Sequence, residues 1–530
     1  MNSIKKIKRR TFVKTAGLGA LATGGMLTFC GRENSRAAGT EPDFSPDLEL
    51  NLTAKPGRVQ ILNGAETAVW HYSGQVVKGD DSALLNLPDT YLGPIIKVRR
   101  GQKVRINFRN QVDQVSIVHW HGLHVPPEAD GHPRYVIEPG KEYVYEFKVM
   151  DRPGTYWFHP HPHRITGPQV YRGLAGMFLV TDEEEEQLNL PSGDHDVPIV
   201  IQDRLFNQDN QLVYIQNRMQ QMLGFLGDTV LVNGKPGYTL NADTGIYRLR
   251  ILNGSNSRIY KLAWRDGQPM TVIGTDGGLL EKPVVRPYLT LGPAERFDVI
   301  ADFSNHKPGD KLEMISLPIP GVDASMGGMM GRGMMGGMNR NVPENGAPLD
   351  IMTVNIRQQT DSSFQRPSEL LRLEYPSLQN AINSDNPRRF EFAMTGHMQW
   401  TINGKTFEMT DVAGYEKVKL GTTEFWEFIN TGGGMGMMGG MMNLPHPVHI
   451  HGLQFRITDR RMHPRFAATW EALKDGVIDD SRKDSFLLLP GARVRVLLRF
   501  EDFTGLYLYH CHNLEHEDMG MMRNYKIEPA

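Results

Sequence analysis

The run Tyr509-His510-Cys511-His512-Asn513-Leu514-Glu515-His516, followed shortly by Met521, places three imidazoles, a thiol and a thioether in one short segment. Read as a strand, the alternating stretch 506–512 points His510 and His512 to one face and Cys511 to the other. One strand can therefore serve two metal sites. A thiolate, two imidazoles and a weak thioether form the ligand set of a blue-copper electron-transfer centre. Cys511, His516 and Met521 supply all of that set except one imidazole.

Three other clusters hold candidates for the rest: His119-Trp120-His121-Gly122, His159-Pro160-His161, and His446-Pro447-Val448-His449-Ile450-His451-Gly452. In each His-x-His pair the two rings share one strand face. His446 lies three residues before His449, an odd offset, so it can face the Cys511 side while His449 and His451 face the other. A single His-x-His is commonly a surface pair or an adventitious metal site. Four such clusters, one holding the only cysteine outside the N-terminal region, do not fit that explanation. His119, His121, His159, His161, His449, His451, His510 and His512 are then available to a polynuclear site, and His446, Cys511, His516 and Met521 to a mononuclear one.

The elements that must position these residues recur three times along the chain. Gly101–Asn110 leads into HWHGLH, Gly421–Asn430 leads toward HPVHIHG, and Gly245–Asn253 has the same shape with no histidines after it. A second repeat follows in each unit: Pro139-Gly140 opens a pattern running to TYWFHPH, Pro490-Gly491 opens one running to LYLYHCH, and Leu291–Asp298 occupies that place in the middle unit without ligands. Short alternating strands with Gly, Pro and Asn turns predict an all-β chain of three β-sandwiches. Ligands confined to the outer units imply that those two meet around the polynuclear site, with the middle unit as a spacer. The acidic stretch 181–196 and the polar stretch 358–369 are the expected boundaries.

As a set, the four motifs resemble the multicopper oxidases over roughly residues 45–530, and within them the bacterial branch that includes copper-efflux oxidases and laccases. The resemblance implies three cupredoxin-like Greek-key domains at 45–185, 190–358 and 370–530. It also implies four copper ions as cofactors. Type 2 copper would sit on His119 and His449, and the two type 3 ions on His121, His159, His512 and on His161, His451, His510. Type 1 copper would sit on His446, Cys511, His516 and Met521, the family spacing favouring Met521 over Met519 and Met522. The implied activity is one-electron oxidation of Cu(I), Fe(II) or phenols coupled to four-electron reduction of dioxygen to water. Asp130, nine residues after His121, and Glu517, directly after His516, match acidic positions the family uses for proton delivery. A carboxylate with a raised pKa suits that task.

Two Met/Gly segments set the chain apart from a generic laccase. Met326, Met329, Met330, Met334, Met335 and Met338 lie in one, and Met435, Met437, Met438, Met441 and Met442 in the other, which ends just before His446. Their glycine content predicts loops, and thioether sulfur is a soft ligand suited to Cu(I). The segments read as a docking surface for cuprous ions in a copper-tolerance oxidase; the competing explanation is an insertion that excludes bulky substrates. Two alternatives are a broad-specificity laccase and a copper-sequestering protein without turnover.

Lys8-Arg9-Arg10-Thr11-Phe12-Val13-Lys14, followed by a mildly apolar Ala/Gly/Leu stretch, reads as a twin-arginine export signal over residues 1–38 and points to the periplasm. Removing it takes away eight basic residues and one acidic, leaving 50 Lys+Arg against 59 Asp+Glu, a net charge of −9. That balance argues against nucleic acid as a partner. Cys30 and Cys511 are the only cysteines, so a mature monomer is expected to contain no disulfide. The segment 27–31 also resembles a lipoprotein processing box, except that Phe29 stands where a small residue is expected. Membrane association is expected only if Cys30 is lipidated, and cleavage near Ser35-Arg36-Ala37 is the simpler alternative.

Overall fold

A computed structural model of the chain describes residues 35–36, 44–322, 342–360, 364–395, 398–432 and 443–530. Residues 1–34 of the expected export segment, with Cys30, and all eleven methionines of the two Met/Gly segments lie outside the described residues.

The described strands form six sheets, and each of the three main cores lies between two of them. The first core joins Leu50, Leu52, Ile106 and Phe108 of one sheet to Val118, Trp120, Phe158 and Phe178 of the other. The second packs Ile199, Leu249 and Val299 against Leu262, Met314 and Val354. The third packs Phe390, Trp426 and Val496 against Val448, Phe486 and Tyr509. The period-2 pattern explains the arrangement: Val104, Ile106 and Phe108 point inward from strand Lys103–Asn110 while the residues between them are more exposed. The expected all-β chain of three sandwiches is what is observed.

The sequence repeat is a structural repeat. Lys103–Asn110, Ile246–Asn253 and Thr423–Asn430 each pair in parallel with the first long strand of their own unit, namely Leu48–Val59, Asp196–Arg204 and Arg388–Met394. Each then pairs antiparallel with Glu142–Lys148, Arg296–Asp302 or Ala492–Arg499. The histidine strands occupy the opposite sheets. Val118–His121 lies antiparallel to Gly154–Pro160 with His119 across from His159, and His446–Ile450 lies antiparallel to Gly505–Cys511 with His449 across from His510 and Val448 across from Cys511.

The acidic stretch expected at a boundary is tied into the structure. Helix Glu183–Gln187 is capped by the Asp182 side chain, and buried Glu185 reaches Arg248 at 2.5 Å. No helix among the described residues is long and apolar enough to cross a membrane.

Candidate metal centre

The clusters, far apart in sequence, converge on one buried region, where His119, His121, His159, His161, His449, His451, His510 and His512 are all buried. Their ligand-type atoms fall into three overlapping groups: His119, His121 and His449; His121, His159 and His512; and His161, His451 and His510. Ring nitrogens face one another at 3.2 Å (His119 Nε2 to His449 Nε2), 3.4 Å (His121 Nδ1 to His159 Nε2), 3.3 Å (His161 Nε2 to His510 Nε2) and 3.0 Å (His451 Nε2 to His510 Nε2). Two nitrogens bound to one metal at about 2.0–2.1 Å in tetrahedral geometry would lie ~3.3 Å apart, so the donors present fit a set of metal ions. Neither ring nitrogen of His512, nor Nδ1 of His161, has a hydrogen-bond partner among the described residues. Buried polar atoms without partners are costly in a fold, and a metal resolves that cost for the nitrogens it binds.

The other ring nitrogens fix which atom faces inward. His119 Nδ1 donates to the Asp130 carbonyl (2.5 Å), His449 Nδ1 to the Asp484 carbonyl (2.8 Å), His159 Nδ1 to the Pro160 carbonyl (2.9 Å) and His451 Nδ1 to Asp130 Oδ2 (2.8 Å). His121 is reversed: its Nε2 lies 3.2 Å from Asp484 Oδ1 and 3.1 Å from Ser485 Oγ, leaving Nδ1 for the cluster. Such partners orient the ring and raise its basicity as a ligand. Burial holds His119, His121, His449, His451 and His512 well below the ordinary imidazole range, with neighbouring rings adding to the effect. It brings His159 to about 4 and His161 to about 3. Those rings are neutral near pH 7, with lone pairs available to a metal.

On the far face of the same strand, Cys511 Sγ lies 3.4 Å from His446 Nδ1 and 3.7 Å from His516 Nδ1, and the two nitrogens are 3.3 Å apart. His516 Nε2 donates to the Met222 carbonyl at 2.9 Å, which also accepts from Trp400 Nε1 at 3.0 Å. The Trp400 ring lies 4.5 Å from His516 and 5.0 Å from His446. Burial pushes the Cys511 thiol well up, so a metal must displace its proton on binding. Met521 is buried in the core that contains Cys511, and its carbonyl accepts from Cys511 N at 3.0 Å. Met522 instead pairs with His510 and packs against Phe407 and Leu508, while Met519 is a partly buried neighbour of the Cys511 core. Backbone direction thus separates Met521 from Met522, in the sense the family spacing favours.

The two carboxylates differ. Asp130 is buried, its Oδ1 lies 3.6 Å from His119 Nδ1 with no hydrogen-bond partner among the described residues, and burial raises its carboxyl well above the usual range. Glu517 lies 3.2 Å from His510 Nδ1 and 3.5 Å from His161 Nε2. Burial pushes it up, but His161 and His510 in their protonated forms outweigh that and hold it down at about 2. The expected raised pKa therefore applies to Asp130 and not to Glu517.

Sequence reasoning missed Asp484, Ser485, Arg296, Glu515 and Trp400. The middle unit is also more than a spacer. Its Arg296 forks onto Asp484 at 2.8 and 2.5 Å. Its Tyr214, Asn256 and Phe225 donate to buried Glu515, one residue before His516. One available signal was Asp484 placed beside the apolar run 486–489, where a carboxylate is expensive to bury without a partner.

Family models described as multicopper oxidase match residues 71–185, 195–311 and 376–530. The multicopper oxidase mco of Staphylococcus aureus is 31% identical over 450 residues, covering 85% of each chain. Among solved structures, the McoA multicopper oxidase of Aquifex aeolicus aligns with a TM-score of 0.73 at 31% identity, covering 92% of this chain and 97% of that one. A Campylobacter jejuni multicopper oxidase described as a metallo-oxidase aligns with a TM-score of 0.70 at 26% identity over 91% of each chain. These alignments share the three-domain, cupredoxin-like architecture seen here.

Proposed function

Because the chain belongs to the multicopper oxidase family, and so is an oxidoreductase with oxygen as acceptor, we propose that it oxidises Cu(I) and reduces dioxygen to water. The observation carrying this reading is the strand around Cys511: its thiol faces His446 and His516 while the adjacent His510 and His512 face two separate histidine groups. His446, Cys511, His516 and Met521 would hold type 1 copper. His119 and His449 would hold type 2, and His121, His159, His512 with His161, His451, His510 the type 3 pair. Copper bound there supplies one-electron acceptance and the storage that a four-electron reduction requires. The chain places Cys511 in covalent continuity with a ligand of each histidine triad and keeps water away from all three residues, which are buried.

Asp130 and Glu517 are the proposed proton carriers. Asp130 suits holding a proton at Oδ1, since burial favours its neutral form. Glu517, which favours the ionised form beside His510 and His161, suits passing one on.

Cu(I) as the reductant is supported by the two methionine-rich segments and by where their ends attach. One segment joins at residue 443, three before His446, and the other follows Val322, which is buried in the Cys511 core. The description of the Campylobacter neighbour as a metallo-oxidase agrees with this reading. Export by the twin-arginine route and a role in copper tolerance belong to the same proposal. The test replaces Met326, Met329, Met330, Met334, Met335 and Met338 with Leu and compares kcat/KM for Cu(I) and a phenol. Cu(I) oxidation should fall while phenol oxidation holds or rises; a tenfold change in the ratio corresponds to about 1.4 kcal/mol of differential transition-state stabilisation. An unchanged Cu(I) rate would remove this segment from docking and favour a general laccase.

A further inference from the structure

Resting on that reading, we propose that Arg296 of the middle unit is a positioning residue for the trinuclear copper site, acting through Asp484 to fix the His121 ring. Arg296 and Asp484 are fully buried. The guanidinium spans both Asp484 oxygens, and its remaining donors reach the carbonyls of Thr155 (3.0 Å), Ala294 (3.0 Å) and Asp276 (2.9 Å). Arg296 N also donates to Asp276 Oδ1 at 2.7 Å. A planar five-donor fork held on so many sides has little freedom to turn, and the carboxylate it grips is correspondingly fixed.

Asp484 passes that order to two candidate ligands. Its Oδ1 lies 3.2 Å from His121 Nε2 and accepts from Ser485 Oγ at 2.8 Å, while its backbone carbonyl holds His449 Nδ1. His121 presents Nδ1 to another candidate ligand nitrogen, His159 Nε2, and an acceptor at Nε2 is what selects that tautomer. The chain from ligand to anchor crosses all three sandwiches: His121 in the first, Asp484 in the third, Arg296 in the second.

Gly122 supplies an independent sign that this space is reserved. Its φ is +90°, and a Cβ there would lie 2.3 Å from Asp484 Oδ2 and 2.9 Å from Arg296 Nη2. The glycine of HWHG thus leaves room for the ion pair as well as for the turn.

The experiment compares wild type with Arg296→Met and Arg296→Lys after copper loading, measuring copper per chain, the blue band and copper retention against a chelator. Both variants should keep the blue band, because no contact of Arg296 reaches Cys511, His446 or His516. Both should carry fewer copper ions per chain through loss from the type 3 group of His121, and hold trinuclear copper at least tenfold more weakly against a chelator; Lys retains the charge but lacks the fork. Wild-type copper content and retention in either variant would overturn the proposal. Joint loss of the blue band and the cluster copper in both variants would also overturn it, leaving Arg296 as a stabiliser of the fold alone. Absence of trinuclear copper from the wild-type protein would instead overturn the underlying reading.

Discussion

Glu515→Gln is expected to loosen the Cys511 site without touching a proposed ligand. The carboxylate is buried and sits between two donors on each side: Tyr214 Oη (2.7 Å) and Asn256 Nδ2 (2.9 Å) on Oε1, Phe225 N (3.0 Å) and Ser257 Oγ on Oε2. These contacts fasten the middle unit to the short helix Leu514–Asp518 that carries His516. Gln keeps the shape but must turn an NH2 toward one pair. The hydroxyls of Tyr214 and Ser257 can rotate to accept, whereas Phe225 N–H and the Asn256 amide cannot rotate away. One orphaned buried donor costs about 1–3 kcal/mol, and loss of charge assistance at the other contacts adds about 1 kcal/mol. A total of about 2–4 kcal/mol favours undocking of that helix by roughly 30-fold or more, at 1.4 kcal/mol per tenfold. The assay is bleaching of the blue band by an excess of copper chelator, which should be faster in the variant by that factor while far-ultraviolet circular dichroism is unchanged. Bleaching at the wild-type rate in a folded variant would refute the view that this clamp secures the site.

Two further outcomes follow from the geometry. Cys511→Ser should abolish the blue band and turnover, since a hydroxyl cannot replace a thiolate between His446 and His516; persistence of the band would reject the ligand assignment. Glu517→Gln should leave the visible spectrum nearly intact and slow oxygen reduction, so that type 1 copper accumulates in its reduced form during turnover; an unchanged rate and oxidation level would remove Glu517 from proton transfer.

The grouping of the candidate ligands was legible because strands impose a period of two, and His-x-His and His-Cys-His inherit it directly. The threefold repeat was legible for a related reason: each unit reuses the same parallel pairing, so its alternation returns in Ile106, Leu249 and Trp426. Strand alternation could not order Met519, Met521 and Met522, which follow the helix Leu514–Asp518 through a turn with no period, and only the family spacing favoured Met521. Arg296 and Asp484 were hidden by distance along the chain, being 188 residues apart. Nothing local distinguishes Arg296 in a strand from an exposed arginine; only the docking of three units creates its role. The low value of Glu517 escaped for the same reason, since it depends on His161 from another sandwich.

In the proposed oxidase one mononuclear and one trinuclear copper site act together. The most direct test measures copper per chain in the loaded protein alongside the ratio of Cu(I) oxidised to dioxygen consumed. Four copper ions per chain, four Cu(I) oxidised per dioxygen and no hydrogen peroxide are predicted. A single bound copper, or two Cu(I) per dioxygen with peroxide released, would contradict it.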